Sequence, residues 1–226
     1  MGTYKDYIEW DVANWSQAIK FWESYLGKNL QGVNCLDLGG RAGGLSLWLA
    51  EKGANVICSD LENPQEIAKK FHDKFDFEGT INYKAIDATK IPYTNKFDIV
   101  IFKSIIGGIA RNNKDNLKSQ VINEIYKSLK PGGKLLFVEN LESSNIHKFL
   151  RKKFIPWGGE WNYLKFSEIK TLFSEFKSLE YESKGFFSAF GRTEKQRTLL
   201  AFFDKIIFDK IISSDKKYII YGVATK

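Results

Sequence analysis

The sequence predicts an α/β fold: seven strands in a mostly parallel sheet, with helices on both faces. Two observations carry this. From residue 33 to the C-terminus, short apolar runs alternate with helical patterns, and strands separated by helices pair in parallel and are covered on both sides. Within that series, residues 33–60 make a complete strand–turn–helix–strand unit around a glycine cluster. The chain has 226 residues, enough for one large core, and a single domain is expected over 1–226.

Each element has its own signal. Asn14 followed by Gln17 has the spacing of a capping box. Trp15, Ala18, Ile19, Trp22, Tyr25 and Leu26 fall on one helical face, which predicts a helix over 14–26 on the sheet's edge. Residues 1–30 thus read as an N-terminal helical cap, and the aromatic segment Tyr4–Trp15 as a stretch able to close over a ligand. Val33–Leu38 is strand one. Gly39–Gly44 is a turn, an apolar helix follows, and Gly53 stands where a helix ends on a left-handed residue. Ala54–Ser59 is strand two and delivers Asp60. Asn63-Pro64 opens a helix with Ile67, Ala68, Phe71 and Phe75 as its apolar face and His72 solvated. Ile81–Ile86 and Phe97–Phe102 are strands three and four. Lys114–Leu129 is a helix stopped by Lys130-Pro131-Gly132-Gly133, and Lys134–Val138 is strand five. Residues 144–154 read as a basic helix and Ile155–Trp161 as a loop. Ser167 caps a further helix, Ser178–Lys184 is strand six, Arg197–Ile212 a helix and Tyr218–Ala224 strand seven. Segments 141–166 and 185–215 are expected as insertions on the ligand side of the sheet.

Composition narrows the class. Hydrophobic residues make up 43% and charged residues 27% of the chain, as in ordinary globular domains. No run is long and apolar enough to span a bilayer, and the start, Met-Gly-Thr-Tyr-Lys-Asp, has no apolar signal core. A cytoplasmic location is expected. Cys35 and Cys58 fall on strands and read as small core hydrophobes, with no metal site around them. The net charge of +7 is spread along the chain and forms no nucleic-acid module.

The unit at 33–60 is built to hold a nucleoside: the turn lets backbone approach a ligand, and Asp60 after strand two accepts from ribose hydroxyls. Asp37, inside strand one, narrows this further. A carboxylate there faces a pyrophosphate badly but suits a cation carrying a sulfonium and an ammonium.

Leu36-Asp37-Leu38-Gly39-Gly40 with its downstream glycines, Asp60, Asp87-Ala88 and Leu129-Lys130-Pro131-Gly132-Gly133 together resemble the class I S-adenosylmethionine (SAM) dependent methyltransferases. The resemblance covers about residues 30–140. It implies a Rossmann-like sheet with an antiparallel seventh strand, SAM as cofactor, and roles by position. Asp37 and the turn Gly39, Gly40, Arg41, Gly43 would meet the methionine amino group and the ribose. Asp60 would take both ribose hydroxyls, with Leu61 against adenine. Asp87 and the Ala88 amide would read the adenine, and Lys103-Ser104 would lie beneath the methionine part. Arg41 stands where the family has glycine. It either pairs with the ligand carboxylate or is solvated.

The acceptor is less defined. Missing motifs disfavour methylation of bases or amides, covalent cytosine chemistry and metal-dependent catechol chemistry. The Asp-Leu-Gly-Gly spelling also resembles ribosomal RNA 2′-O-methyltransferases, but Lys103 and Glu139 replace the acid and lysine those enzymes need. O-methylation of a small molecule or glycan intermediate is expected, with an RNA methyltransferase or a non-catalytic SAM-binding domain as rivals. His147 and Glu139 are the candidate bases. Asn140, Trp157, Trp161, Tyr163 and Arg192 are the candidate acceptor contacts, with Ile155–Tyr163 as a lid. Helix 197–212 is apolar on more than one face. It reads as a buried cover helix, with a dimer contact or peripheral membrane contact as alternatives. Monomer and homodimer both remain open.

Overall fold

The computed structural model describes residues 1–156 and 158–226. In chain order the elements are α1 (Tyr4–Ile8), α2 (Val12–Glu23), β1 (Asn34–Leu38), α3 (Gly44–Glu51), β2 (Asn55–Asp60), α4 (Gln65–His72), β3 (Thr80–Ala85), β4 (Phe97–Lys103), α5 (Ile106–Ile109), α6 (Asp115–Ser128), β5 (Leu129–Asn140), α7 (Asn145–Phe154), α8 (Ile169–Leu172), β6 (Ser178–Lys184), α9 (Glu194–Phe203) and β7 (Ile219–Thr225). The sheet has seven strands in the order β3-β2-β1-β4-β5-β7-β6. β7 alone is antiparallel to its neighbours. This is the seven-stranded, mostly parallel, Rossmann-like sheet with an antiparallel last strand expected from the sequence.

Alternation along the strands splits the interior into two layers. Cys35, Leu136, Val138 and Val223 point to one face, where Trp15, Ile19, Trp22, Leu47 and Trp48 cover them. Leu36, Leu38, Leu135 and Phe137 point to the other, against Val121, Ile125, Ile169 and Phe173. Both cysteines are buried and free. The parallel strands β1, β2, β4 and β5 end on the same edge, and the turns that follow them form the site.

Several boundaries differ from expectation. The first long helix begins at Val12, and Asn14 lies inside it, its amide donating to Asp11 Oδ1 at 2.8 Å. The first amides of that helix are capped from far away: the Glu194 carboxylate accepts from Asp11 N at 2.8 Å and Val12 N at 3.2 Å. No local pattern reports a cap delivered by tertiary contact. The short helix α1 is held by Asp6, which accepts from the Thr3 amide at 2.7 Å and from its hydroxyl. β5 starts at Leu129 rather than Lys134, because the chain keeps pairing with β4 through a register shift between Phe97 and Ile99.

The largest correction concerns the late helix. It runs from Glu194 through a π-helical turn at Asp204–Phe208 to Ile211, and it is no buried cover. Within it only Asp204 is buried, while Leu199, Phe202, Phe203, Ile206, Ile207 and Ile211 are exposed. Asp204 accepts from the amides of Phe186, Phe187 and Ser188, each at 2.9 Å, and from the Ser188 hydroxyl. The polar residue is the anchor and the apolar ones face out. Asp204→Ala leaves three amides without a partner and is expected to cost about 3 kcal/mol. Urea denaturation reads this directly, and a loss below about 1 kcal/mol would show that the 186–190 turn holds without the carboxylate.

Candidate active site

The turn between β1 and α3 is made by close approach. Gly39, Arg41 and Gly43 all have positive φ, at 67°, 48° and 82°. A β-carbon on Gly39 would lie 2.4 Å from Ile105 Cγ2, one on Gly43 2.4 Å from His72 Nε2, and one on Gly44 2.4 Å from the Tyr7 carbonyl oxygen. Gly39 and Gly43 are therefore needed both for conformation and for room, and Gly44 for room alone. Arg41 takes the left-handed conformation at the position where the family has glycine. Its side chain is exposed, with the guanidinium 5.9 Å from the Trp10 ring, and its amide donates to Asp60 Oδ2 at 3.2 Å.

His72 was expected in solvent and is instead 1% exposed. Its Nε2 donates to the Gly43 carbonyl at 2.8 Å and its Nδ1 lies 2.9 Å from the Tyr83 hydroxyl. Burial pushes its pKa down, so the neutral ring braces the turn. The inner face of α4 is Ala68 and His72, one helical turn apart, whereas Ile67 is exposed. Ala68, Phe71 and Phe75 pack on the core as the apolar pattern predicts, so only Ile67 and His72 exchange places with expectation.

Acidic groups line the strand ends. Asp37 is buried and accepts from Ser46 Oγ at 2.7 Å. Burial pushes its carboxyl up to about 6. Asp60 ends β2 and also accepts from the Leu61 amide at 2.7 Å. Leu61 is 70% exposed. Asp87 follows β3, is exposed, and accepts from the Thr89 amide and hydroxyl at 2.8 and 2.7 Å. Ala88 beside it is buried.

The ends of β4 and β5 are tied together. Asn140 Nδ2 donates to Ser104 Oγ at 2.8 Å, and Ser104 has a φ of 56°. The Glu139 carboxylate accepts from the Ile106 amide at 2.8 Å and the Asn140 amide at 2.9 Å. It is fully buried, and burial lifts its pKa to about 7. Glu139 thus holds the turn into α5 and has no opening toward an acceptor. Lys103, at the end of β4, reaches under the N-terminal segment. Its ammonium donates to the Ile8 carbonyl and to Glu9 Oε2 and lies 3.6 Å from the Trp10 ring centre. Burial lowers its pKa to about 8. Tyr7, Glu9, Asp37, Gly39, Gly40 and Lys103 enclose a cleft of only about 10 Å³, so α1 lies closed over the turn.

The other candidates separate. His147 is 1% exposed. Its Nδ1 is 2.7 Å from Ser144 Oγ and its Nε2 is 2.9 Å from the Phe186 carbonyl, with Phe190 stacked on the ring at 4.7 Å. It stands at no mouth and has no nitrogen to spare, because α7 turns that face inward. Trp161 lies on Gly107 and Gly108 of the α5 turn, and its indole N–H is buried with no partner among the described residues. The loop around it is pinned by Asn162 N to the Gly107 carbonyl at 3.1 Å and Asn112 N to the Glu160 carbonyl at 3.0 Å. The Tyr163 ring carries the Arg151 guanidinium at 4.2 Å. Arg192 is exposed beside Phe154 at 5.8 Å, on the outer surface rather than by the strand ends. Trp157 lies outside the described residues.

A parallel sheet with acids at the ends of β1 and β2 around a glycine turn defines a nucleoside-binding α/β protein. Residues 36–137 match the model of the methyltransferase domain. A demethylmenaquinone methyltransferase from Leptospira interrogans is 31% identical over 191 residues, covering 74% of each chain. A ubiquinone/menaquinone biosynthesis C-methyltransferase UbiE from Methylococcus capsulatus is 32% identical over 129 residues, covering 54% of this chain and 48% of that one. Among solved structures, phosphoethanolamine N-methyltransferase 2 of Haemonchus contortus, in complex with SAM, superposes with a TM-score of 0.65 at 20% identity, over 99% of this chain and 56% of that one. N-methyltransferase NodS of Bradyrhizobium japonicum does so with a TM-score of 0.59 at 14% identity, over 93% and 84%. The chain belongs to the class I SAM-dependent methyltransferases. It is an enzyme whose methyl donor is SAM.

The state of His147 is testable through pH. Burial holds its pKa down from 6.5 to about 4. Between those values the unfolded chain binds a proton that the folded chain does not, so this residue removes stability as pH falls through 6.5 toward 4. The raised carboxyls of Asp11, Asp37 and Glu139 act in the opposite sense. His147→Gln is therefore expected to lose less stability than the parent between about pH 7 and pH 4.5. Paired denaturation curves at both pH values measure the difference, and parallel losses would mean that the ring titrates freely.

Proposed function

We propose that this enzyme methylates a ring carbon of a quinol-type aromatic acceptor. The observation that carries the reading is the relative from Leptospira interrogans, named as a demethylmenaquinone methyltransferase, which aligns over 74% of each chain. The site supports it chemically. Bound SAM supplies a methyl group on a sulfonium, a carbon with no electron pair to offer. The acceptor must bring the pair: an electron-rich quinol ring carbon would bond the methyl carbon as its bond to sulfur breaks, and the proton on that ring carbon then leaves to water, so no nucleophilic side chain is needed. The engaged states of His147 and Glu139 accord with that. The turn after β4 is apolar, carrying Ile105 and Ile109, with Trp161 lying on Gly107 and Gly108 between them in sequence, which suits a flat ring better than a sugar. The relatives' names lend no support to oxygen methylation of a glycan.

The residues present fit SAM. Its ribose diol and adenine amino group are donors, and Asp60 and Asp87 offer carboxylates at the ends of successive strands. Its amino-acid end is a zwitterion, and the cleft beside the turn holds both an acid, Asp37, and a cation, Lys103. In this reading Asp37 faces the ammonium and Lys103 the carboxylate, with Arg41 as a second cation. Leu61 covers the adenine and the Ala88 amide reads its edge. The Gly39, Gly40 and Gly43 backbone borders the ribose, and Ser104, held by Asn140, shapes the methionine channel. Lys103 must release the Ile8 carbonyl as the ligand enters, so α1 opens and closes with binding. Trp161 and Tyr163 border the acceptor and position its ring.

Asp60→Ala is expected to weaken SAM binding by about 1–3 kcal/mol, roughly 5- to 150-fold. Lys103→Met is expected to weaken it too. Tighter binding by that variant in calorimetry would instead make Lys103 an obstacle in the cleft. For the acceptor, the assay is methyl transfer to a short-chain naphthoquinol, with mass spectrometry placing the new methyl. Label on oxygen, or transfer only to other acceptors, would overturn the carbon assignment.

A further inference from the structure

The two helices that leave the sheet's C-terminal edge late in the chain are built inside out. In α7 the inward residues are His147 and Arg151, one turn apart and both buried, while Ile146, Phe149 and Phe154 are exposed. Arg151 is held by the Leu141 carbonyl at 2.6 Å and the Glu142 carbonyl at 3.2 Å. In α9 and its π-helical extension the inward residue is Asp204. Among the described residues, nine of the thirteen exposed large hydrophobic side chains lie on these two helices. The helices are neighbours. His147 binds the Phe186 carbonyl and Asp204 binds the amides of the same short segment, while Arg192 stands 5.8 Å from Phe154. A patch of this kind on a folded surface marks a contact.

Its charges say with what. Lys148, Lys152, Lys153, Arg192, Lys205 and Lys210 are exposed around the apolar side chains. α7 contains no acid. The acids of the second helix are spent locally: Glu194 on the α2 amides, Asp204 on Phe186–Ser188 and Asp209 on the Gly185 amide at 3.0 Å. A second copy of this chain would set one basic rim against another. A bilayer carrying anionic headgroups is complementary to both the apolar centre and the rim. No helix among the described residues is long and apolar enough to cross a membrane, so the contact lies on the surface.

We propose that the α7–α9 face docks onto anionic phospholipid bilayers. Asn140 at the end of β5 leads into α7, and Lys184 at the end of β6 leads toward α9, so the face shares the edge of the sheet that carries Ser104 and Asn140. Docking therefore places the acceptor side of the enzyme at the lipid headgroups. The proposal stands on this surface and does not rest on the acceptor reading.

The test is flotation of the full chain with vesicles of phosphatidylglycerol mixed into phosphatidylcholine, and with phosphatidylcholine alone, no acceptor being present. Co-flotation is expected with the anionic vesicles, weakening at about 0.5 M salt. Phe149→Ser with Phe202→Ser, and separately Lys152→Glu with Lys153→Glu, are expected to lower partitioning by about tenfold or more. All four side chains are exposed, so melting temperature and SAM affinity should stay at the parent values. No partitioning, or equal partitioning on both vesicle types, overturns the proposal. So does a dimer by light scattering that the same variants convert to monomer. Turnover on a water-soluble quinol judges the acceptor reading separately.

Discussion

The turn from Gly39 to Gly44 has no room for side chains where neighbouring elements press on it, and the site depends on that contact. The Ile105 side chain meets Gly39, His72 meets Gly43, and the backbone of Tyr7 meets Gly44. The loop after β4, the helix α4 and the N-terminal segment are therefore registered against one short stretch of backbone. A methyl group on Gly44 would push on a carbonyl, which cannot rotate away as a side chain does. His72 adds direction to the contact by donating to the Gly43 carbonyl, so the turn is both wedged and hydrogen-bonded.

Buried carboxylates do much of the remaining positioning. Glu139 ties the β5 end to the first amide of α5, Asp11 accepts from Asn14 and the Tyr218 hydroxyl, and Asp204 collects three consecutive amides. Each is an acid removed from water and compensated by donors, as burial requires. The positions look catalytic by burial and pKa alone, since Glu139 lies near 7. Geometry decides otherwise: a carboxylate whose two oxygens already serve backbone amides is a brace. His147 is engaged in the same way, with Ser144 Oγ on one nitrogen and the Phe186 carbonyl on the other. In this fold the reactive carbon comes with the donor, and the protein has only to hold two ligands in line.

The cleft beside the turn holds two opposite charges. Lys103 and Asp37 lie within it together, and each shifts the other toward its charged form while burial works against both. With Lys103 engaged by the Ile8 carbonyl and Glu9, the N-terminal segment is latched by a cation. Order at the N-terminus and charge in the cleft are thus coupled through one side chain.

The sequence alone determined the strand order's ingredients and the acidic positions. Asp37, Asp60 and Asp87 could be placed near strand ends because each lies in or just after a strand-like run, and strand ends face ligands in open parallel sheets; the role of Asp87 toward adenine came only from the family resemblance. Gly39, Gly40 and Gly43 were legible because a tight turn at a strand end demands them. Tertiary structure decided what periodicity cannot report. Whether His72 faces solvent depends on how far the buried stripe of α4 extends: Ala68, Phe71 and Phe75 lie on it as the apolar pattern predicts, and His72 joins them through hydrogen bonds that no periodicity reports. Whether helix 194–211 is a cover or an outer surface depends on Asp204 finding three amides near residue 187, a contact with no local signature. An apolar residue tells the sequence that it prefers shelter from water, and only the packed chain shows whether that shelter lies within its own core.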